Sequence, residues 1–590
     1  MRKNLLLAGV AVAALMIGAS GAMAQTAVTQ TTDNYSPVNN QTTSTIVPGI
    51  TTGGLTGAGA SAAIGATGAA SSVSVVGNAA TLQPGNQALT LPASGFGTIT
   101  QATTNHAGGT VQNGVAGSAG TTIDLGGFAT GAGSSASVSA TGALSAVSVT
   151  GIDTTPNTNT FAPPAFTSTV TQTSANNDTV TNTLGTVSNG AGLGIGASAS
   201  VSATGSAASF SESFNNGLAV SASTVTGLVT QGSRNVSGAT VHNDSGTISV
   251  GGAMAQGSAA SVSATGSLAS VGFSDISSTT VSSFALTGGV DQGKTNAVAN
   301  GANVTNDGTP NPSITVGGGI GQGASASVSA TGVAAAVSIS GNGSGTFTVA
   351  NIGPIDQGSL GNPVYNAGVI TNTNGQILNV GVVGDGGSAS VSATGAEASV
   401  SVTMDHVGAV TGGYISTTTI NQYVANNVAL TGVRNTGASI TSTGAAVGDG
   451  GSLSIGSTGA IAAIGLLQNN SGQGTFTIGG TGITQFSENT SLVTNSGTIM
   501  GAAVLSGAGS SASISGTGAA ASVSIASIDP GLTSLATPTI GSIGQTALNH
   551  TNSTVTNNGT ITLGGMSGVG ASASISATGA GAFVNLSAIR

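Results

Sequence analysis

The chain has 590 residues, of which 6 are Lys or Arg and 16 are Asp or Glu, a net charge of −10. Charged residues make up 4%, where ordinary domains carry about a quarter, and the 39% of hydrophobic residues separates the chain from charge-driven disorder. With no Cys, no Trp and 98 Gly, the composition excludes a disulfide framework and argues against most enzymes, whose sites need positioned acids, bases and nucleophiles.

Met1-Arg2-Lys3 is a short basic segment, and Leu5 to Ile17 is apolar but short for a bilayer span. Ala22-Met23-Ala24 adds a small-x-small cleavage pattern, so residues 1–24 read as a signal peptide and Gln25 as the mature N-terminus, with an N-terminal membrane anchor as the alternative. No later run reaches the ~18 apolar residues of a transmembrane helix, and the lack of Cys excludes lipid attachment at a cysteine. Loss of Arg2 and Lys3 leaves 4 basic against 16 acidic groups, a net of −12. That sparse negative charge suits neither nucleic acid nor anionic lipid.

Residues 25–590 read as one continuous region of nine repeats without an internal domain boundary. The block Gly323 to Gly332, GASASVSATG, is identical to Gly196 to Gly205, and blocks of this kind end at Gly68, Gly142, Gly205, Gly266, Gly332, Gly395, Gly459, Gly518 and Gly579. Their intervals run from 59 to 74 residues. Ahead of each block stands a Gln with an Asn four residues on, as in Gln231/Asn235 and Gln292/Asn296; only Gln357 has its Asn362 one residue later. A third marker is an apolar residue two before an Asn, as in Val241/Asn243 and Val304/Asn306. A fixed period of this size is the signature of a stacked, elongated architecture.

Within the block, Ser325, Ser327 and Ser329 share one face and Ala326, Val328 and Ala330 the other. Beyond Thr331-Gly332 the alternation resumes with Val333, Ala335, Val337 and Ile339. This period of two predicts strands, and the Thr-Gly a tight turn or corner. A helix is the competing reading for Ala-rich runs, but Gly, Ser, Thr and Val dominate here. Small side chains let sheets approach closely, and stacked Ser or Asn can bond to their own copies in the next layer. The expected fold is all-β, an elongated β-solenoid akin to a parallel β-helix. At three coils of about twenty residues per repeat, about twenty-seven coils would form a rod on the order of 130 Å long. The repeat motif is carried by Ser325, Ser327, Val328, Ser329, Thr331 and Gly332, with Gln292, Asn296 and Asn306.

The segments Asp244-Ser-Gly-Thr-Ile248, Asn495-Ser-Gly-Thr-Ile499 and Asn557-Asn-Gly-Thr-Ile561 resemble the NxGTI phrases of bacterial surface passengers, the autotransporter and haemagglutinin-like adhesins. The resemblance covers one short segment per repeat. It implies a right-handed parallel β-helix exposed on a Gram-negative cell and used in adhesion. The chain departs from that family at its end, where the repeat runs to Phe583–Arg590 without the aromatic girdles of a membrane barrel. A looser similarity, Gln and Asn at fixed offsets in an exported Gly-rich chain, is to the curli type of functional amyloid.

Candidate chemistry is thin. His106 and His550 each stand seven residues before a repeat Asn (Asn113, Asn557), a stack would hold them far apart, and Asp405-His406 would point to opposite faces of a strand. Gly384-Asp385-Gly-Gly387 and Gly448-Asp449-Gly-Gly451 share only composition with calcium-binding nonapeptides, which need carboxylates in every turn, and read as corner aspartates. Pectate-lyase-like β-helices are enzymes, but they cluster Asp, Lys and Arg on one face, and Lys294 is the only lysine after the leader. No catalytic residue, cofactor or metal is expected. Pro156 to Pro164 and Pro310 to Pro312 read as loop insertions, and Tyr365, Tyr414 and Tyr423 as contact residues of such segments. The expected function is that of an exported structural or adhesive protein, extracellular or on the outer surface of a Gram-negative cell. It would act as a stiff multivalent rod or fibre subunit in attachment or biofilm matrix. Its expected partners are copies of itself and other surface or matrix components, with peripheral outer-membrane association. The alternatives are a self-assembling functional amyloid subunit and, behind it, a β-helix enzyme acting on polysaccharide.

Overall fold

The structure is a computed structural model that describes residues 27–40, 49–57, 59–78, 88–90, 96–114, 121–152, 160–215, 219–220, 223–276, 280–342, 346–405, 409–411, 414–415, 419–427, 432–444, 446–469, 477–478, 482–528, 539–540 and 542–589. Among them there is no helix, and the named strands pair in parallel across the repeats, as in a β-solenoid. Each Ser/Ala block forms an 18-residue strand, from Ser61–Asn78 through Ser325–Asn342 to Ser572–Ile589, and the nine lie in chain order in one long sheet. The Gln and Asn markers build the facing layer. Strands such as Val229–Asn235 form a glutamine sheet, and strands such as Thr240–Asp244 and Thr247–Val250 an asparagine sheet.

The register corrects the expected coil count. Gln30 pairs with Gln101, Gln172 with Gln231 and Ser325 with Ser388, so an entire repeat, and not a third of it, closes one coil. Nine coils at ~4.8 Å stack to only about 40 Å, while an 18-residue strand is about 60 Å long. The molecule is therefore a slab wider than it is tall, not a rod of 130 Å. The expected corner at Thr-Gly is also overturned: the strand Ser325–Asn342 runs straight through Thr331-Gly332. What changes there is the phase. Ala330, Gly332 and Val333 are all buried, so the inward set slips by one residue. Glycine is required by a close approach, since a Cβ on Gly332 would lie 2.5 Å from the Asn366 Oδ1 and 2.5 Å from the Gly395 carbonyl oxygen.

The core between the layers is apolar at its two sides and polar along three internal columns. Phe, Val and Ile residues such as Phe166, Phe214 and Val337 fill one side, and Ala, Val and Ile residues such as Ala326, Val328 and Ile314 the other. Between them nine glutamines form a continuous ladder, each Nε2 donating to the Oε1 of the preceding coil's Gln over 2.7–2.9 Å. Two asparagine ladders run beside it with the opposite polarity, each Nδ2 donating to the next coil's Oδ1. One starts Asn34, Asn105, Asn176 and the other Asn40, Asn113, Asn182. The glutamines also bond across the core, as where Gln357 Nε2 donates to the carbonyls of Ala335 at 2.8 Å and Ser399 at 2.9 Å. The small Ala and Ser on the inward face of the long sheet leave room for an amide to reach that far, and a buried amide left unbonded would cost about 1–3 kcal/mol.

In the fifth coil the ladder residue is Asn300, not Asn296. The chain bulges over Gly293–Ala297 before rejoining the sheet at Val298–Asn300, and Asn300 pairs with Asn235. In the sixth coil Asn366 takes this place, while Asn362 donates to the Gly293 carbonyl of the neighbouring bulge. Gln292 and Asn306 lie fully buried in their ladders.

Candidate binding face

The outer face of the long sheet is a regular surface of nine parallel 18-residue strands. On the strand Ser325–Asn342 the alternation directs Ser325, Ser327, Ser329 and Thr331 outward, and after the slip Ala334, Ala336, Ser338 and Ser340, while Val328 is fully buried beneath them. The same columns continue on the other coils, so that nine threonines, from Thr67 through Thr331 to Thr578, stand in register. Neighbouring side chains are spaced ~4.8 Å between coils and about 6.7 Å along a strand. At the outward positions matching Ser325 to Ser340, Glu397 is the one ionisable residue of the nine strands. It is half-buried between Ala334 and Ile461, and loss of water there raises its carboxyl pKa while a bond from Ser399 lowers it. Such a face offers hydroxyls and methyls in a lattice, with almost no charge. It can make many weak, equivalent contacts. Hydroxyl bonds between coils run both inside, where Ser206 and Ser267 bond to Ser233 at 2.8 and 2.9 Å, and on the outer face of the asparagine sheet, where Thr186 bonds Thr247 at 3.0 Å.

Several titratable residues bridge neighbouring coils. Tyr35 lies against His106 with ring centroids 4.0 Å apart, and His106 Nε2 is 3.0 Å from Asp33 on the preceding coil. His550 repeats this with Glu488 at 2.7 Å, and His242 bonds Asp307 on the following coil at 2.8 Å. The bond from Asp307 raises the His242 pKa, with burial opposing it. Lys294 bonds Asp356 at 2.7 Å. Asp385 accepts the Asp449 amide at 2.9 Å, and Asp449 accepts the Ala508 amide at 2.6 Å, so these corner aspartates stack in a column. Among the described residues no three His, Asp or Glu side chains converge as metal ligands would. The Asp405-His406 pair lies outside the described side chains, as does Tyr414, and residues 153–159 of the first Pro-containing stretch are also outside. Pro310–Pro312 joins Asn303–Asp307 to Ser313–Val316 at the rim. Tyr365 and Tyr423 lie on the outer face of the glutamine sheet, where Tyr423 stacks on Phe486 with centroids 6.4 Å apart.

One carboxylate escaped the sequence reading. Glu212 occupies an inward position between Val149 and Phe273 in the register and is 2% exposed, with Phe210 and Phe214 on the same face of its strand. Ser223 donates to its Oε2, while Oε1 has no partner. Burial pushes its pKa up to about 7, the Ser223 bond pulling back. Counting inward phases from the slip at Gly205 would have found it. Because the folded form holds a proton that the unfolded form releases near pH 4.5, stability should fall as pH rises from about 4.5 to 7, by on the order of 3 kcal/mol. Glu212→Gln should remove most of that slope in denaturation curves between pH 4.5 and 7.5. An unchanged slope would place the titration elsewhere.

No family model, no curated protein and no solved structure matches this chain.

Proposed function

We propose that the chain is an exported structural and adhesive protein of a Gram-negative cell surface or extracellular matrix, working through many weak contacts on a stiff scaffold. The observation that carries this reading is the flat, nearly uncharged lattice of Ser, Thr and Ala on the long sheet, repeated over nine coils. A scaffold tied by three internal amide ladders holds these groups at fixed spacing, so contacts add without each paying the ordering entropy again. The expected partners are surface and matrix components and other copies of the chain. A polysaccharide-processing activity has no support in a face with one carboxylate. The test is retention of residues 25–590 on the cells and extracted matrix of the source bacterium. Replacing Ser327, Ser390 and Ser454 by Glu puts three adjacent carboxylates on the face and should lower retention at least ten-fold. Retention equal to the parent chain would sink the proposal.

The second reading is a functional amyloid subunit. It is favoured by parallel, in-register strands with stacked amides, the arrangement of a cross-β ladder within one chain. The unit would be a folded slab and not a Ser/Ala hairpin, because each block is a single strand.

A further inference from the structure

We infer that copies of this chain stack head to tail, the last coil of one pairing with the first coil of the next, in a filament of fixed polarity. The inference deepens the fibre reading above by naming the partner and the contact. Both terminal coils show open edges among the described residues. In the last long strand, Ile575 and Val584 are 50% and 52% exposed, whereas Val328 and Val337, in the same columns of an inner coil, are 0% and 1% exposed. Among the described residues no further coil covers these positions, and in the inner coils one does.

The two ends are chemically complementary. At the last coil the Gln545 Oε1 faces the open side, where each inner glutamine accepts the next coil's Nε2. At the first coil Gln30 Nε2 donates to the Ser72 carbonyl, whereas inner glutamines also donate to the preceding coil. The asparagine ladders have the reverse sense, presenting a donor amide at Asn549 and an acceptor at Asn34. A ladder meeting its own copy across like ends would set acceptor against acceptor or donor against donor, whereas unlike ends reproduce the inner-coil bond in all three ladders. Strand edges follow suit, since Ser572–Ile589 and Ser61–Asn78 have the same register along the whole sheet.

The side columns agree. Within the chain, the residue after a ladder Asn meets the residue before the ladder Asn of the preceding coil, as His106 meets Asp33 and His550 meets Glu488. Across the junction the corresponding pair is Tyr35 with Leu548, which are 65% and 42% exposed. Tyr35 would also rest on the His550 ring as it rests on His106 in its own chain. A coil section of about 60 Å by about 15 Å buries roughly 1,800 Å² in total, the size of a stable specific interface. A heterologous contact of this kind does not close on itself and so propagates.

The test uses residues 25–590, with light scattering after gel filtration and electron microscopy over a concentration series. The parent chain should form filaments with ~4.8 Å layers and an axial repeat of about 43 Å, nine coils. Ile575→Lys with Val584→Lys blocks one end, and Tyr35→Lys with Val73→Lys blocks the other. Each double variant, with its strand circular dichroism retained, should be monomeric, and a 1:1 mixture should give dimers and nothing longer. A parent chain that stays monomeric, variants that still polymerise, or a mixture that stays monomeric would each overturn the stacking. Monomers whose retention on cells still depends on the Ser327, Ser390 and Ser454 face would remove the stacking and leave the adhesive reading standing.

Discussion

Replacing Asn300 with Leu should destabilise the fifth and neighbouring coils by roughly 4 kcal/mol, while Asn296→Leu should stay within about 0.5 kcal/mol. Asn300 Nδ2 donates to Asn366 Oδ1 at 2.7 Å and to the Ala302 carbonyl at 2.8 Å, and its Oδ1 accepts from Asn235 Nδ2 at 3.1 Å. Leucine has nearly the same shape, so the loss comes from the partners left behind in a dry core. At about 1–3 kcal/mol for each orphaned buried group, two of them account for the figure. Asn296 sits in the half-buried bulge, outside any ladder. A stack unfolds coil by coil, so the effect is best read by hydrogen exchange of the long-sheet amides around Ser325–Asn342, alongside denaturant midpoints. Equal protection in the two variants would show that the amide column contributes little.

Gly332→Ala should be nearly as damaging, roughly 3 kcal/mol, whereas Ser329→Ala, three residues away on the outer face, should be close to neutral. The added methyl would meet a ladder oxygen and a backbone oxygen at 2.5 Å each, and the backbone of the adjoining strand cannot withdraw without breaking its own pairing. The same clash recurs at Gly142 with Asn176 at 2.4 Å and at Gly395 with Asn426 at 2.5 Å, so the cost belongs to the design of every inner coil. Thermal unfolding of the two variants decides the matter. If Gly332→Ala unfolds with the parent, the layers are looser than the ladder distances imply.

Much of this architecture was legible beforehand. The alternation in Ser325 to Ala330 required strands because a side-chain period of two has no other regular backbone, and nine in-phase markers required stacking because identical faces bury best against themselves. Poverty of charge likewise directed attention away from chemistry and toward a repetitive surface. The sequence by itself therefore determined an all-β repeat and the residues that face inward within each block. It did not determine how far the chain travels before closing a coil, because strand periodicity carries no record of where the backbone turns. Thr331-Gly332 looks like a corner to local rules, yet its glycine answers an asparagine of the next coil, a contact between residues 34 positions apart. Spacing alone likewise favoured Asn296, four residues after Gln292, and only pairing with the preceding coil could show that the bulge at Gly293–Ala297 hands the role to Asn300. The burial of Glu212 was decided in the same way, by the Phe-rich columns that neighbouring coils bring around it. Local sequence selects the strand and its faces, while register, set by the fit of whole coils to one another, selects which residues meet.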